Sequence, residues 1–204
     1  MRGPRERMVV SAALLIRERG AHATAISDVL EHSGAPRGSA YHYFPGGRTQ
    51  LLCEAVDYAG DHVAAIIAEA SDGLQLIDTL IDQYRGQLLD SDFRAGCPIV
   101  AVSVEAGEPD NADRMAPVVE RAAAVFDRWT DLIAQRFIAD GMARERAGDL
   151  AVLATTALEG AIVLARVRRD LMPLDVVRRQ VRELLSATPS HLGAYQVTGE
   201  DVPQ

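Results

Sequence analysis

The sequence contains few of the residues that metal centres and membrane spans require. It has two cysteines among its 204 residues, Cys53 and Cys97, and they do not have the spacing of metal ligands. No window approaches the roughly 18 consecutive apolar residues that a membrane-spanning helix needs. No signal peptide precedes the first helical pattern. These absences predict a soluble protein of the reducing cytoplasm.

Catalytic motifs are also missing from the sequence. It has no His-Glu-x-x-His metal motif, no glycine-rich phosphate loop and no Gly-x-Ser-x-Gly nucleophile elbow. The five histidines are scattered without ligand spacing: His22, His32, His42, His62 and His191. We therefore expect a protein that is not an enzyme and that uses no metal or cofactor.

Lysine is absent, and the arginines are unevenly distributed along the chain. The net charge is −8, but residues 1–48 hold seven arginines against four acidic residues, a net charge of +3. The other 156 residues therefore carry −11. A basic head on an acidic body fits a protein that docks one end onto DNA and keeps the rest away from it.

The stretch 20–52 is the most informative, because its pattern predicts two short helices joined by a tight turn. The first helix has its apolar spacing at Ile26, Val29, Leu30 and Ser33. Gly34 can close that helix in the left-handed conformation, and Pro36 suits the first position of the next helix. The second helix, predicted from about Pro36 to Phe44, has too little apolar area to exist for stability alone. Its exposed residues are therefore its purpose.

A short second helix of this kind can enter the major groove of DNA, where its N-terminal residues face the base edges. Arg37 is the strongest candidate for a base contact, because one guanidinium group can donate two hydrogen bonds to a guanine edge. Such a contact contributes about 1–3 kcal/mol of discrimination between bases.

Helical periodicity continues through the rest of the chain and predicts an all-α fold of about nine helices. Its clearest amphipathic pattern covers 117–139. Two later helices are predicted at about 146–169 and 173–187, and their small side chains allow a close approach to a second copy of the chain. Burial of part of these faces within one subunit is the alternative. The stretch 189–204 has no period and is expected to be a disordered tail.

Several residues at fixed spacing carry a resemblance to a known family. They are Thr24, Ile26, Gly34, Gly38, Tyr41, His42, Tyr43 and Phe44, followed by Pro45, Gly46, Gly47, Arg48, Leu51 and Leu52. This pattern resembles the N-terminal domain of TetR-type transcriptional regulators. Within that family, Gly96-Cys97-Pro98-Ile99 and the later Glu105 are similar to the LmrA/YxaF-like branch.

The resemblance implies a DNA-binding head over residues 1–48 and a ligand-binding and dimerisation body over 49–188. The implied partners are a double-stranded DNA operator, a small-molecule effector, and a second copy of the chain paired through the helices at 146–169 and 173–187. A repressor is favoured over an activator, because steric blocking of a promoter needs only binding. The alternative is a helical small-molecule-binding protein that keeps this fold without using DNA.

The resemblance also implies which head residues contact DNA. Base or phosphate contacts are implied for Gly38, Ser39, Tyr41, His42 and Tyr43, beside Arg37, and phosphate contacts for Thr24, Ser27 and Arg48. Tyr41 has the alternative of half-buried packing. Ser27 has the alternative of capping its helix.

The body offers candidate residues for an effector cavity. They are Tyr84, Leu88, Phe93, Cys97, Val100, Val104, Glu105, Phe126, Trp129, Leu158 and Glu159. Plain core packing is the alternative for the apolar members of this set. Glu105 and Glu159 are more distinctive, because a carboxylate among apolar neighbours is costly unless it is paired. Glu159 either pairs with an arginine such as Arg166 or stays free for a cationic or hydrogen-bonding ligand.

Overall fold

The computed structural model describes residues 3–105 and 112–187, and every regular element in those ranges is an α-helix. The helices are α1 (Pro4–Arg19), α2 (Ile26–Ser33), α3 (Ala40–Tyr43), α4 (Gly47–Glu69), α5 (Gly73–Asp90), α6 (Pro98–Val104), α7 (Ala112–Ala139), α8 (Arg144–Arg168) and α9 (Met172–Ser186). The all-α class and the expected nine helices are confirmed for the described residues. The tail predicted over residues 189–204 lies outside them.

The first three helices, α1 to α3, are here called the head, and α1 is the helix on which the head is assembled. It contacts α2 within the head, and α4 and α6 of the remaining helices, here called the body. Its inner face carries Met8, Ala12 and Ile16, all fully buried. Gly34 ends α2 with a φ of 63°, a left-handed conformation that glycine adopts without strain. The predicted break after α2 is therefore confirmed.

The second helix of the helix-turn-helix is shorter than the predicted span of Pro36 to Phe44, because α3 begins only at Ala40. Ser39 makes the difference: its backbone N–H and its hydroxyl both donate to the Pro36 carbonyl, over 2.9 and 2.7 Å. A serine that satisfies a nearby carbonyl in this way competes with helix formation, and Gly38 adds a residue of low helix propensity. The first half of the predicted helix is a turn.

Helices α4 and α7 form a close contact in the body at Gly60. The indole N–H of Trp129 donates to the Gly60 carbonyl over 2.9 Å. A Cβ atom placed on Gly60 would lie 2.6 Å from Cγ2 of Val125. Two surface ion pairs join the same helices, Arg121 with Asp57 and Arg128 with Asp61. Glycine at this position sets how closely the two helix axes approach.

The last two helices agree with the sequence-based bounds to within two residues, as α8 over Arg144–Arg168 and α9 over Met172–Ser186. Helix α8 packs against α7 and α9, and α9 also packs against α5. Ion pairs cross between α5 and α9, formed by Arg178 with Asp82, Arg182 with Asp78, and Arg85 with Asp175. The helices α4, α5, α7, α8 and α9 therefore surround a common interior.

We expect Gly60→Ala to lower the free energy of unfolding by about 1–3 kcal/mol, the usual cost of overpacking a core. The added methyl group would collide with both Cγ atoms of Val125, which is itself buried. Gly86→Ala is the matched control, since Gly86 lies inside α5 with no atom within 4 Å of an added Cβ. Gly86→Ala should raise stability by about 0.5–1 kcal/mol. Urea denaturation at a fixed protein concentration measures both, and equal effects would contradict the close contact.

Candidate functional site: an exposed recognition segment and a buried cavity

The segment from Arg37 to His42 presents one exposed arginine and two exposed aromatic rings at the surface of the head. Tyr41 is 71% exposed, so the alternative of half-buried packing is wrong. Arg37, Gly38 and His42 are also exposed. The Arg37 guanidinium group makes no hydrogen bond or ion pair within the described residues. This surface can offer donors and flat rings to a partner without breaking any internal contact.

The residues beside this surface are more constrained. Tyr43 is half-buried and packs on the core, with its ring edge-on to the ring of His42 at 5.2 Å between centroids. Ser39 donates its hydroxyl proton to Pro36. Ser27 on α2 is exposed, and its capping alternative is wrong, because the Asp28 carboxylate accepts the Ala25 N–H at 3.2 Å instead.

The prediction of a phosphate contact from Thr24 is wrong in this conformation. The residue is 1% exposed and donates its hydroxyl proton to the Gly20 carbonyl over 2.7 Å. Its N–H donates to the Ala21 carbonyl over 3.0 Å. A phosphate oxygen can only accept a hydrogen bond, so it finds no free donor on this residue. Thr24 instead holds the turn between α1 and α2.

Arg48 has an internal role in the head, and its phosphate contact stays a prediction. Its Nε donates to the Thr24 carbonyl at 3.0 Å, and its terminal nitrogen donates to the carbonyls of Ala21 and His22. Burial lowers the pKa of Arg48, and the nearby Glu105 carboxylate opposes that shift. Arg48 therefore fastens the start of α4 to the turn between α1 and α2.

The body contains an apolar cavity between α4, α5, α7, α8 and α9. Its lining consists of Val63, Ile67, Ile77, Leu80, Ile81, Tyr84, Trp129, Ile133, Ala154, Thr155, Leu158, Glu159, Val177 and Val181. The space between these side chains is about 480 Å³ with open solvent included. The centre of a water molecule fits in only about 20 Å³ of it, which is room for about one water molecule. A bound molecule of ordinary metabolite size would have to push the lining apart. Tyr84, Trp129, Leu158 and Glu159 were predicted to lie here.

Glu159 brings a carboxyl group into this apolar cavity. Its Oε2 is inaccessible to water and has no hydrogen-bond partner. The same is true of Thr155 Oγ1, one helical turn earlier. Burial raises the pKa of Glu159 to about 7, partly offset by a hydrogen bond from the Cys97 thiol. The suggested pairing with Arg166 is wrong, because that guanidinium donates to the Glu18 carbonyl at 2.5 Å. The cavity therefore offers two polar atoms to a ligand that can hydrogen-bond.

The other predicted cavity residues lie elsewhere, namely Leu88, Phe93, Cys97, Val100, Val104, Glu105 and Phe126. Val104 is 76% exposed, whereas Leu88 is fully packed in the core. Phe93 lies under the Arg169 guanidinium, whose central carbon is 5.5 Å from the ring centroid, within the distance of about 6 Å that a cation–π contact needs. Glu105 accepts the His22 N–H at 2.7 Å. Phe126 packs edge-on against Trp129, and Cys97 touches Glu159 from outside the lining.

The sequence-based prediction missed the aliphatic lining from α5 and α9, such as Ile77, Ile81 and Val177, and it missed Thr155. The aliphatic residues have the same helical spacing as plain core, so no local signal separates the two. Thr155 had a usable signal, because it stands four residues before Glu159 and residues at that spacing share a helix face.

Two family models match the sequence. Residues 9–55 match the one described as bacterial regulatory proteins, tetR family, and residues 74–180 match the one described as transcriptional regulator LmrA/YxaF-like, C-terminal domain. The chain belongs to the TetR family of bacterial transcriptional regulators. It is 79% identical over 187 residues to the HTH-type transcriptional regulator Rv0196 of Mycobacterium tuberculosis. The matched residues cover 92% of this chain and 96% of that relative. Both resemblances found in the sequence are thereby confirmed.

Solved TetR-family structures share the fold. A TetR transcriptional regulator from Legionella pneumophila superposes with a TM-score of 0.78 at 19% identity, covering 90% of this chain and 98% of that one. A cysteine-substituted CifR, a TetR-family regulator solved with 26-bp double-strand operator DNA, superposes with a TM-score of 0.68 at 22% identity over 87% of this chain and 94% of that one. The exposed segment lies within residues 9–55, the part of the chain that matches the tetR family model.

The Glu159 carboxyl makes stability depend on pH. Its pKa is about 7 in the folded protein against an ordinary value of 4.5, so the folded state holds a proton that the unfolded state has released. This contribution is fully present below pH 4.5 and is lost as the pH rises through 7. The whole shift corresponds to roughly 3 kcal/mol. Glu159→Gln should remove it.

We therefore expect the variant to gain stability relative to the unsubstituted protein as the pH rises from 5 to 8, measured by urea denaturation at each pH. Glu183→Gln is the control, because that exposed carboxyl lies outside the cavity. A difference between Glu159→Gln and the unsubstituted protein that stays constant over this range would contradict a buried, protonated carboxyl.

Proposed function

We propose that this TetR-family regulator is a homodimeric repressor that a small molecule with a largely apolar body releases from its operator. The observation that carries the proposal is the exposure of Arg37, Tyr41 and His42 at the surface of the head, in a chain whose body also contains an apolar cavity with two unpartnered polar atoms. Residues 1–48 serve as the DNA-binding part and 49–188 as the part for effector binding and dimerisation. The protein acts in the cytoplasm and catalyses no reaction.

The homodimer is supported by the outward face of α8. Val152, Leu153, Val163, Leu164 and Val167 are between 46% and 78% exposed. Gly148 and Gly160 lie on the same helix with no atom within 4 Å of an added Cβ, so a second backbone can approach there. A contiguous apolar face of this kind marks a protein interface or a membrane contact.

Helix α8 is also long and apolar enough to cross a membrane, with 39% of its most apolar stretch buried. Membership of a family of DNA-binding regulators favours a second subunit as the cover for its face. The remainder of α8 already packs on α7 and α9. Two copies joined along α8 and α9 give the two heads that a pair of half-sites on DNA requires.

Contacts between head and body support control by an effector. The Gly96 N–H donates to the Arg17 carbonyl at 2.8 Å. The Arg166 guanidinium donates to the Glu18 carbonyl, and the Glu105 carboxylate accepts the His22 N–H. Because a bound molecule must push the narrow cavity apart, its binding favours a body conformation with different positions for these contacts. A ligand shifts such an equilibrium only by its difference in affinity for the two conformations.

We expect Arg37→Ala to weaken operator binding by about tenfold to a hundredfold, since a bidentate guanine contact is worth about 1–3 kcal/mol. The loss should be larger for the operator than for unrelated DNA. Gel-shift titrations against the DNA upstream of the chain's own gene, over a salt series, measure both affinities. Operator binding should weaken steeply as salt rises, because phosphate contacts release counterions.

Arg94→Ala is the matched control for Arg37→Ala, because Arg94 is equally a solvent-exposed arginine but lies in the body. It should leave both affinities within about twofold, since a distant surface charge has only a screened effect. DNA binding that ignores sequence and is equal in the two variants would reject the operator contact and favour a ligand-binding protein that does not act through DNA.

We expect Leu164→Glu to convert the dimer into monomers, because each copy would place a charge at the centre of a desolvated apolar face. Sedimentation velocity across a dilution series reports the change in mass. Operator affinity should fall with it, since a monomer offers one head. The control is Leu89→Glu, which changes a leucine of similar exposure on α5. The interface would be rejected if the unsubstituted protein were a monomer, or if the two variants had equal effects on the mass.

A further inference from the structure

A groove at the junction of head and body has the chemistry of a second ligand compartment. It runs between α1 on one side and α4 and α5 on the other. We propose that this groove binds the anionic end of an amphiphilic effector through Arg17, while the apolar part of the same molecule extends toward the cavity of the body. The inference rests on the proposed function only in taking the bound molecule to be the effector.

The groove adjoins the cavity directly. Its lining consists of Val10, Ala13, Leu14, Arg17, Tyr58, Ala59, His62, Val63, Gln83, Tyr84, Gln87, Pro98 and Trp129. Val63, Tyr84 and Trp129 line the cavity as well, so a wall of three side chains separates the two spaces. A movement of the Tyr84 or Trp129 ring would join them, which gives a molecule a route to the closed cavity.

The charge in the groove favours an anion. Arg17 contributes a positive charge, and the groove lining contains no acidic side chain. The Arg17 Nε is inaccessible to water and has no partner, while its Nη1 donates to Gln87 Oε1 at a long 3.3 Å. The groove therefore offers the terminal nitrogens of Arg17 to a carboxylate or sulfonate, which can accept two parallel hydrogen bonds. The buried Nε becomes a further donor only when the side chain turns.

The position of Arg17 links this site to the head. Arg17 belongs to α1, and its own carbonyl accepts the Gly96 N–H from the body at 2.8 Å. An anion that draws the guanidinium away from Gln87 replaces a contact between α1 and α5 with a contact to the ligand. The occupant therefore touches the DNA-binding head itself, and its binding energy depends directly on the position of α1.

Two fluorescent probes test the site. Anilinonaphthalene sulfonate carries an apolar ring system with an anionic group, and phenylnaphthylamine has the same ring system without the charge. We expect Arg17→Gln to weaken binding of the sulfonate probe at least tenfold and to leave the neutral probe within twofold. Arg17→Lys, which keeps the cation, should retain more of the sulfonate affinity than Arg17→Gln. Arg94→Gln, at an exposed arginine outside the groove, should change neither probe.

Circular dichroism and thermal melting establish that each variant is folded before its affinities are compared. Unchanged affinity of Arg17→Gln for the sulfonate probe would overturn the inference, as would an equal loss for both probes. Operator binding by the unsubstituted protein is measured separately in a gel shift. If the protein does not bind the operator, the proposed function is rejected and the probe comparison is unaffected. If it binds the operator but Arg17→Gln does not change the affinity for the sulfonate probe, only the groove site is rejected.

Discussion

The turn between α1 and α2 must have its backbone groups satisfied, and the placement of the head depends on how this is done. Arg48, at the start of α4, donates to the carbonyls of Ala21, His22 and Thr24, and Glu105, at the end of α6, accepts the His22 N–H. Leaving a buried polar group unpaired costs about 1–3 kcal/mol. One arginine and one carboxylate from the body therefore fix where α2 and the recognition segment lie.

Gly20 makes this arrangement possible. Its φ of 88° is in the region that favours glycine, and a Cβ atom there would lie 1.9 Å from Glu105 Oε1. Any side chain at that position would displace the carboxylate that holds the turn. The same contact explains why Glu105, a carboxylate between apolar stretches of sequence, lines no cavity: its partner is the backbone of the head.

The body joins its polar interior to this turn through α6. Tyr84 and Cys97 are hydrogen-bonded to each other, and Cys97 is hydrogen-bonded to Glu159, which lines the cavity. Cys97 immediately precedes α6, and Glu105 immediately follows it. A short helix of seven residues therefore has the cavity at one end and the head at the other. The structure shows that the cavity and the head are connected in space through α6. Energetic coupling between them requires that the cavity end and the head end of α6 each have two conformations.

The sequence by itself determined the number of helices but not the extent of α3. It also determined the break at Gly34, the exposed recognition residues and the family, because each of these is written in local spacing or in motifs of adjacent residues. It placed Tyr84, Trp129, Leu158 and Glu159 in the interior for the same reason. Only the tertiary structure decided the roles of Arg48, Thr24 and Glu105. Their partners are backbone groups distant in sequence or hidden in a turn, and no periodicity records where a carbonyl points. The groove at Arg17 likewise exists only because α1 meets α4 and α5, with one residue each from α6 and α7, around one guanidinium group.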